Sequence, residues 1–381
     1  MNILMICTEK LPVPNIRGGA IQTYIDGVSG MLAQHHQLTI LSRTDPDLPD
    51  TEQAGGVRYV RVPSDGIFEI YAANVVQYLQ STQEQYDIIH IFNRPRLVLP
   101  VRQMRPAARI ILSMHNDMFE WNKIDRQEAT AALEQTERII TISNYVGQRI
   151  STLFPQAQGK VRTIYSGVDL SRYAPWMESE AARQVREQVR QQHQLSSRKV
   201  ILFVGRLSRN KGPHVLIRAM NHLRHQDASL VIVGGAWYSD DRVSDYIAYL
   251  RALAARSPIP VINTGFIPAQ EVYQWFNAAD VFVCTSIWNE PLARVHYEAM
   301  ASGLPFITTA RGGNPEIVTG ENGLLIQNPE DPLEYAQALN ELLSDLNRAR
   351  QMGLNGRRMV EQHFTWQRVA SEILGVWEQT L

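Results

Sequence analysis

Cysteine is nearly absent: only Cys7 and Cys284 occur in 381 residues. Each lies in an apolar run that reads as a buried strand. Neither a disulfide framework nor a thiolate metal cluster is available, and a reducing, cytoplasmic setting is the simplest inference. No apolar run approaches the ~20 residues of a membrane span. The opening Met1–Cys7 lacks the basic flank of a signal peptide and reads as a first strand. Peripheral membrane association stays open. Charge of either sign is not in excess, with 37 Lys+Arg against 38 Asp+Glu and a net charge of −1. That balance argues against a nucleic-acid partner. Lysine itself is scarce: Lys10, Lys123, Lys160, Lys199 and Lys211 stand against 32 arginines. A lysine inside a motif is therefore not there by abundance. There is no internal repeat and no low-complexity tract.

What remains is an ordinary globular composition, 44% hydrophobic and 20% charged. The length predicts two domains. In the first half, β-branched-rich runs at 2–7, 38–42, 59–62, 88–92, 110–114, 139–142 and 161–165 alternate with helix-like stretches at 20–34, 69–82, 127–136 and 144–153. A second series of strands follows at 200–204, 229–233, 261–263, 281–284, 306–308 and 324–326. Its helices are expected at 213–223, 241–256, 270–277, 294–301 and 333–343. Strands apolar throughout, spaced by helices, imply parallel sheets covered on both faces. The expectation is an α/β chain of two Rossmann-like domains facing each other across a cleft. The first domain is placed at 1–175. The Glu-, Gln- and Arg-rich stretch 176–198 reads as a solvated helical connector, and the second domain as 199–365. The last helix, 366–381, is expected to pack back on the first domain.

Ligands of open parallel sheets bind beyond the carboxyl ends of the strands. The first strand exits into a long loop ending in Gly18-Gly19 at a helix start, where backbone N–H groups approach a ligand closely. The loop is not G-x-G-x-x-G, which disfavours an NAD site. The fifth strand exits at His115-Asn-Asp. The second half opens with Gly205-Arg206-Leu-Ser-Arg-Asn-Lys211-Gly212-Pro213. Arg offers a planar fork to phosphate oxygens and Lys a point charge, so the pair suits a diphosphate; two neighbouring surface cations is the bland alternative. A later loop reads Glu290-Pro-Leu292-Ala293-Arg294-Val-His296-Tyr-Glu298. Its two glutamates bracket a strand-to-helix turn whose free N–H groups near Leu292–Arg294 can bind phosphate oxygens.

Taken in order, Gly18-Gly19, Ser166-Gly-Val-Asp169, Gly205-Arg-Leu with Lys211-Gly212, Glu290 with Glu298, Glu298-Ala-Met-Ala-Ser-Gly-Leu-Pro305, Gly312-Gly-Asn-Pro-Glu316 and Asn322-Gly323 resemble the retaining glycosyltransferases of family 4, which have the GT-B fold. Within that family, Thr8-Glu-Lys-Leu-Pro-Val-Pro, Arg17-Gly-Gly-Ala and the Glu290–Glu298 string are similar to the bacterial spore coat protein SA type. The resemblance implies transfer of a sugar from a nucleotide-diphosphate donor with retained configuration. It implies that Arg206 and Lys211 neutralise the departing diphosphate and that Glu298 binds ribose. It places Glu290 and His115 at the donor sugar, Gly18 and Gly19 at the diphosphate, and Gly265-Phe266-Ile267 at the base. Most members carry small residues after the first glutamate. Here Pro291-Leu-Ala-Arg294 leaves the donor sugar open, and Arg294 reads equally as a contact to an anionic donor group or as a surface residue.

No metal and no further cofactor is expected. The Asp45-Pro-Asp47 sequence, the spacing of a metal-binding Asp-x-Asp, reads as an exposed turn among prolines. The acceptor, a glycan, lipid or small molecule, is not legible. Two other readings stay open: a sugar-nucleotide epimerase, and a non-catalytic coat protein that keeps the fold. A pyridoxal-phosphate phosphorylase is discounted, because Lys199 and Lys211 are the only lysines of the second half and both lie at its start.

Overall fold

The computed structural model describes residues 1–235 and 243–379. It divides into two compact units, 1–166 with 366–381, and 167–365.

The first unit is built on β1 (Asn2–Ile6), β2 (Gln37–Arg43), β3 (Thr51–Ala54), β4 (Val57–Val62), β5 (Ile88–Phe92), β6 (Arg109–Met114), β7 (Arg138–Thr141) and β8 (Val161–Thr163). Their order is β3-β4-β2-β1-β5-β6-β7-β8, parallel except for β3 against β4. The central strands are apolar on both faces because both faces are covered. Leu4 and Ile6 pack with Val98 and Val101 of the helix Val98–Met104 on one side. Ile3, Met5 and Cys7 pack on the other with Tyr24 and Val28 of the helix Ala20–Leu32. Burying each such side chain contributes about 1.5–3 kcal/mol. The C-terminal helix Trp366–Glu378 belongs to this unit, inserting Val369, Ile373 and Trp377 into the second face. Arg109 Nη1 donates to the Trp377 carbonyl at 2.6 Å. Residues 380 and 381, the end expected for this helix, lie outside the described residues.

The second unit carries β9 (Lys199–Val204), β10 (Ala228–Val233), β11 (Val261–Gly265), β12 (Val281–Val283), β13 (Phe306–Thr309) and β14 (Gly323–Ile326), all parallel. Their order is β11-β10-β9-β12-β13-β14. In each sheet the winding reverses beside the first strand, between β1 and β5 and between β9 and β12. Such a switch point opens a crevice at the strand carboxyl ends.

Two expectations need revision. The stretch read as a helical connector does form the helix Glu180–Gln192, but as an integral part of the second unit and not as a solvated link. Arg186 and Arg190 are buried there, sharing Asp280 at 2.5 and 3.2 Å and capping the carbonyls of residues 277–279. The second unit thus begins at Gly167, not Lys199. The helix expected from Asp241 runs Asp245–Ala254, with Ser244 Oγ accepting from the Ile247 N–H; Asp241 and Arg242 lie outside the described residues.

Candidate functional site

In the second unit the exits of β9 and β12 are laced together. Thr285 Oγ1 donates to the Lys211 carbonyl at 2.6 Å, and the Ile287 N–H to the Asn210 carbonyl at 2.9 Å. Gly212 turns between them at φ 66°, where a side chain would collide with the Thr285 carbonyl. This close approach brings Lys211 onto Glu290, 79 residues away in sequence, with Nζ to Oε2 at 2.7 Å.

Glu290 is buried, and three donors converge on its Oε2: Lys211, Ser286 Oγ at 2.8 Å and Trp288 Nε1 at 2.9 Å. Its Oε1 accepts no hydrogen bond among the described residues, so the carboxylate is anchored by one oxygen and offers the other. Burial works to raise its pKa, but the Lys211 ammonium and the Ser286 hydroxyl hold it below the ordinary value. It is an ionised group, an acceptor for hydroxyls, not a proton donor. The loop is pinned from behind, where the Gly313 N–H donates to the Glu290 carbonyl at 2.8 Å. Gly312, at φ 57°, passes so close that a Cβ would collide with that same carbonyl.

Leu292 and Ala293 follow as buried residues, and the helix Val295–Ala301 begins directly after Arg294. Arg294 faces Glu298 at 3.6 Å, and its Nη1 donates to the Gly167 carbonyl at 3.2 Å. It is mostly covered, not a freely solvated surface residue. Burial raises the Glu298 carboxyl above its ordinary value in spite of Arg294. His296, which lies beyond the loop, is fully buried. Its Nδ1 donates to the Ala293 carbonyl at 2.8 Å and its Nε2 meets Thr308 Oγ1 at 2.7 Å, so it ties the loop to β13. Arg206 is half-buried just past β9. Gly265, Phe266 and Ile267 lie at the exit of β11, two strand spacings from β9, or about 10 Å.

In the first unit, Gly18 and Gly19 take φ values of 86° and 103° and start the helix Ala20–Leu32. His115 follows β6, buried, its ring edge-on to Tyr24 of that helix at 4.9 Å and inclined to Phe92 at 5.8 Å. Both features therefore stand at the carboxyl end of the sheet. The Asp45-Pro-Asp47 sequence is a turn, but not a fully exposed one. Asp45 is buried and accepts two hydrogen bonds from Arg17, at 2.8 and 3.1 Å, and Asp47 also pairs with Arg17. These carboxylates anchor the residue that precedes the glycine pair. Among the described residues, no three His, Cys, Asp or Glu side chains are placed to hold a metal ion. No described helix is long and apolar enough to cross a membrane.

Sequence reasoning singled out Lys211 and Glu290 separately and missed their pairing. It missed Ser286 and Trp288 as the other anchors of Glu290; their positions four and two residues before it on one loop were the available signal. A cavity of about 760 Å³ lies at the opposite, amino ends of β9 and β12, beside Arg186, Arg190 and Arg350, and contains none of the candidate residues.

Comparison with known proteins agrees with this architecture. Residues 17–172 match the profile of Glycosyltransferase Family 4, and 185–359 that of Glycosyl transferases group 1. Spore coat protein SA of Bacillus subtilis is 42% identical over 382 residues, covering 100% of both chains. Putative glycosyltransferase YtcC of the same organism is 43% identical, covering 100% of this chain and 93% of that one. Among solved structures, sucrose-phosphate synthase from Thermosynechococcus elongatus superposes with a TM-score of 0.78 at 24% identity, over 100% and 99% of the two chains. Anabaena HepE, solved with UDP and glucose, gives 0.76 at 22% identity over 100% of both. The two structures speak for the fold and the full-length relatives for the family: the chain belongs to the GT-B glycosyltransferases of family 4, in the group of spore coat protein SA.

Proposed function

We propose that this glycosyltransferase moves a sugar from a nucleoside-diphosphate donor, with retention and without a metal ion. The observation that carries the reading is the Lys211–Glu290 pair at the switch point of the second sheet. It couples a cation suited to phosphate with a carboxylate suited to sugar hydroxyls, 2.7 Å apart.

The order of the strand exits supports it. Across the sheet come the β11 exit with Gly265-Phe266-Ile267, the β9 exit with Arg206 and Lys211, and the β12 exit with Glu290. This is the sequence of base, diphosphate and sugar along a nucleotide sugar. Breaking the bond from sugar to phosphate leaves an oxocarbenium-like sugar and a negatively charged diphosphate. Arg206, Lys211 and the N–H groups of Leu292 and Arg294 stabilise that charge, because they are in place before it develops; the Ala293 N–H, expected among them, instead donates to Asn314 Oδ1 at 3.4 Å. Lys211 has three donors and can share them between Glu290 and a phosphate oxygen. Glu290 Oε1 accepts from a sugar hydroxyl, and Glu298 from the ribose. In the first unit, Gly18 and Gly19 approach the diphosphate and His115 the sugar.

The test is a thermal-shift and calorimetry panel of nucleoside diphosphates and nucleotide sugars, with and without EDTA. UDP-glucose, with which HepE was solved, is the first donor to try. Stabilisation unaffected by EDTA is expected. Lys211→Ala should weaken diphosphate binding by about 1.5–3 kcal/mol, since a hydrogen bond to a charged group is lost. Unchanged affinity in that variant removes the assignment. Product analysis without acceptor separates transfer from epimerisation. The name of the 42% identical relative favours one second reading, a coat-assembly role. It predicts that Lys211→Ala leaves assembly into the coat intact.

A further inference from the structure

We propose that Asn93 is the positioning residue that fixes His115 at the carboxyl end of the first sheet; the proposal rests on reading His115 as a contact of the donor sugar. Asn93 follows β5 directly and is 3% exposed. Its backbone is left-handed, with φ 55°, a conformation uncommon for any residue with a Cβ and least unfavourable for Asn and Asp. Were only a turn required, glycine would serve with less strain.

The side chain supplies what glycine lacks. Its Oδ1 accepts from the N–H of His115 and from the N–H of Asn116, each at 3.0 Å. Backbone N–H groups only donate, so the atom facing them is oxygen and the amide orientation is fixed. These two donors lie just past Met114, where the ladder with β5 has ended. Left unpaired, the buried donor of His115 would be costly, and the half-buried one of Asn116 less so. The amide of Asn93 therefore extends the β5–β6 pairing by two residues, and the second of its partners sets where His115 leaves the sheet.

Asn93 is itself held on both sides. Its N–H donates to the Ser113 carbonyl at 2.7 Å. Its own carbonyl accepts from Arg94 Nη1 at 2.7 Å, and Arg94 is clamped on the buried Glu9 at 2.6 and 2.7 Å. Phe92, the preceding residue, lies 5.8 Å from the His115 ring. Adjacent residues of β5 and its exit thus fix both the ring and the backbone of His115.

The experiment compares Asn93→Gly, Asn93→Ala and Asn93→Asp in the full chain. One readout is amide hydrogen exchange at His115 and Asn116. The other is kcat and KM for hydrolysis of UDP-glucose. Gly and Ala should speed exchange at these two amides by roughly tenfold or more. They should lower kcat by roughly 10–100-fold with KM nearly unchanged, because a misplaced group acts on turnover. Asp accepts both N–H groups and should restore exchange and most of kcat. Circular dichroism of the Gly variant, which relieves the backbone, checks that it folds. Wild-type exchange and kcat in the Gly variant overturn the proposal. So does fast exchange with wild-type kcat while His115→Ala is inactive. If His115→Ala is equally without effect, the site reading falls, and the role of Asn93 in turnover falls with it.

Discussion

Replacing Glu290 by Gln keeps the shape of the side chain and removes its charge. The carboxylate is buried and receives Lys211, Ser286 and Trp288 on one oxygen. The amide oxygen can still accept from Ser286 and Trp288. The Lys211 ammonium, whose side chain is only 18% exposed, loses its counter-charge. Breaking a fully buried ion pair costs about 3–5 kcal/mol. Lys211 keeps some water, so a loss of about 2–3 kcal/mol is expected, or roughly 5–10 °C in the melting temperature of a unit this size. Lys211→Met should cost a similar amount, by stranding the carboxylate. The double variant strands neither group and should be more stable than the sum of the single effects by about 2 kcal/mol. Calorimetry or urea unfolding measures this, scored on the transition of the second unit, since two units need not unfold together. The pH dependence carries a sign. Glu290 has its pKa lowered on folding, so its contribution is present above the unfolded value near 4.5 and is lost as pH falls through the folded value. The advantage of the wild type over Glu290→Gln should therefore shrink in acid. Single effects that simply add at neutral pH would falsify the ion pair as the organiser of this site.

Gly312→Ala forces a Cβ into the Glu290 carbonyl at a left-handed φ, and should lower both melting temperature and donor turnover, by at least the 1–2 kcal/mol of the backbone conformation alone. Asp26 has its carboxyl raised to about 6 by burial, against the Asn15 N–H that favours the charged form at 2.6 Å. A raised acid contributes instability that grows as pH rises from near 4 to near 6; Asp26→Asn should gain on the order of 3 kcal/mol at pH 8 and little at pH 4, by urea titration at both. Cys7 is buried and its thiol pushed up to about 12, while Cys284, equally buried, is drawn down to about 7 by His296. Burial governs access, so a thiol reagent at pH 8 should titrate neither cysteine in minutes in the native protein and both in denaturant; a rapid single equivalent would place Cys284 in an opening segment.

The strands were legible because the central ones are buried on both faces and therefore largely apolar, as in Val200–Val204 and, His90 apart, Ile88–Phe92. What escaped followed different physics. Thr51–Ala54 pairs only along one edge of β4 and is largely exposed, so Thr-Glu-Gln-Ala carries no hydrophobic signal. Pro100 lies inside the helix Val98–Met104, in its first turn, where a missing N–H costs nothing, yet in sequence it reads as a breaker. The helix Glu180–Gln192 was expected to be solvated, yet it docks through Arg186 and Arg190, and two guanidiniums that share Asp280 and three carbonyls are indistinguishable in sequence from ones in water. The same limit governed the site. Lys211 and Glu290 were recognised as chemistry, but only the turn at Gly212 and the bonds from Thr285 and Ile287 bring them within 2.7 Å. Asn93 was passed over because a polar residue after a strand is ordinary; its left-handed φ and its two backbone partners exist only once β5 and β6 lie side by side. In this chain local pattern determined the elements, whereas polar groups meeting across strand exits determined how the candidate residues are held.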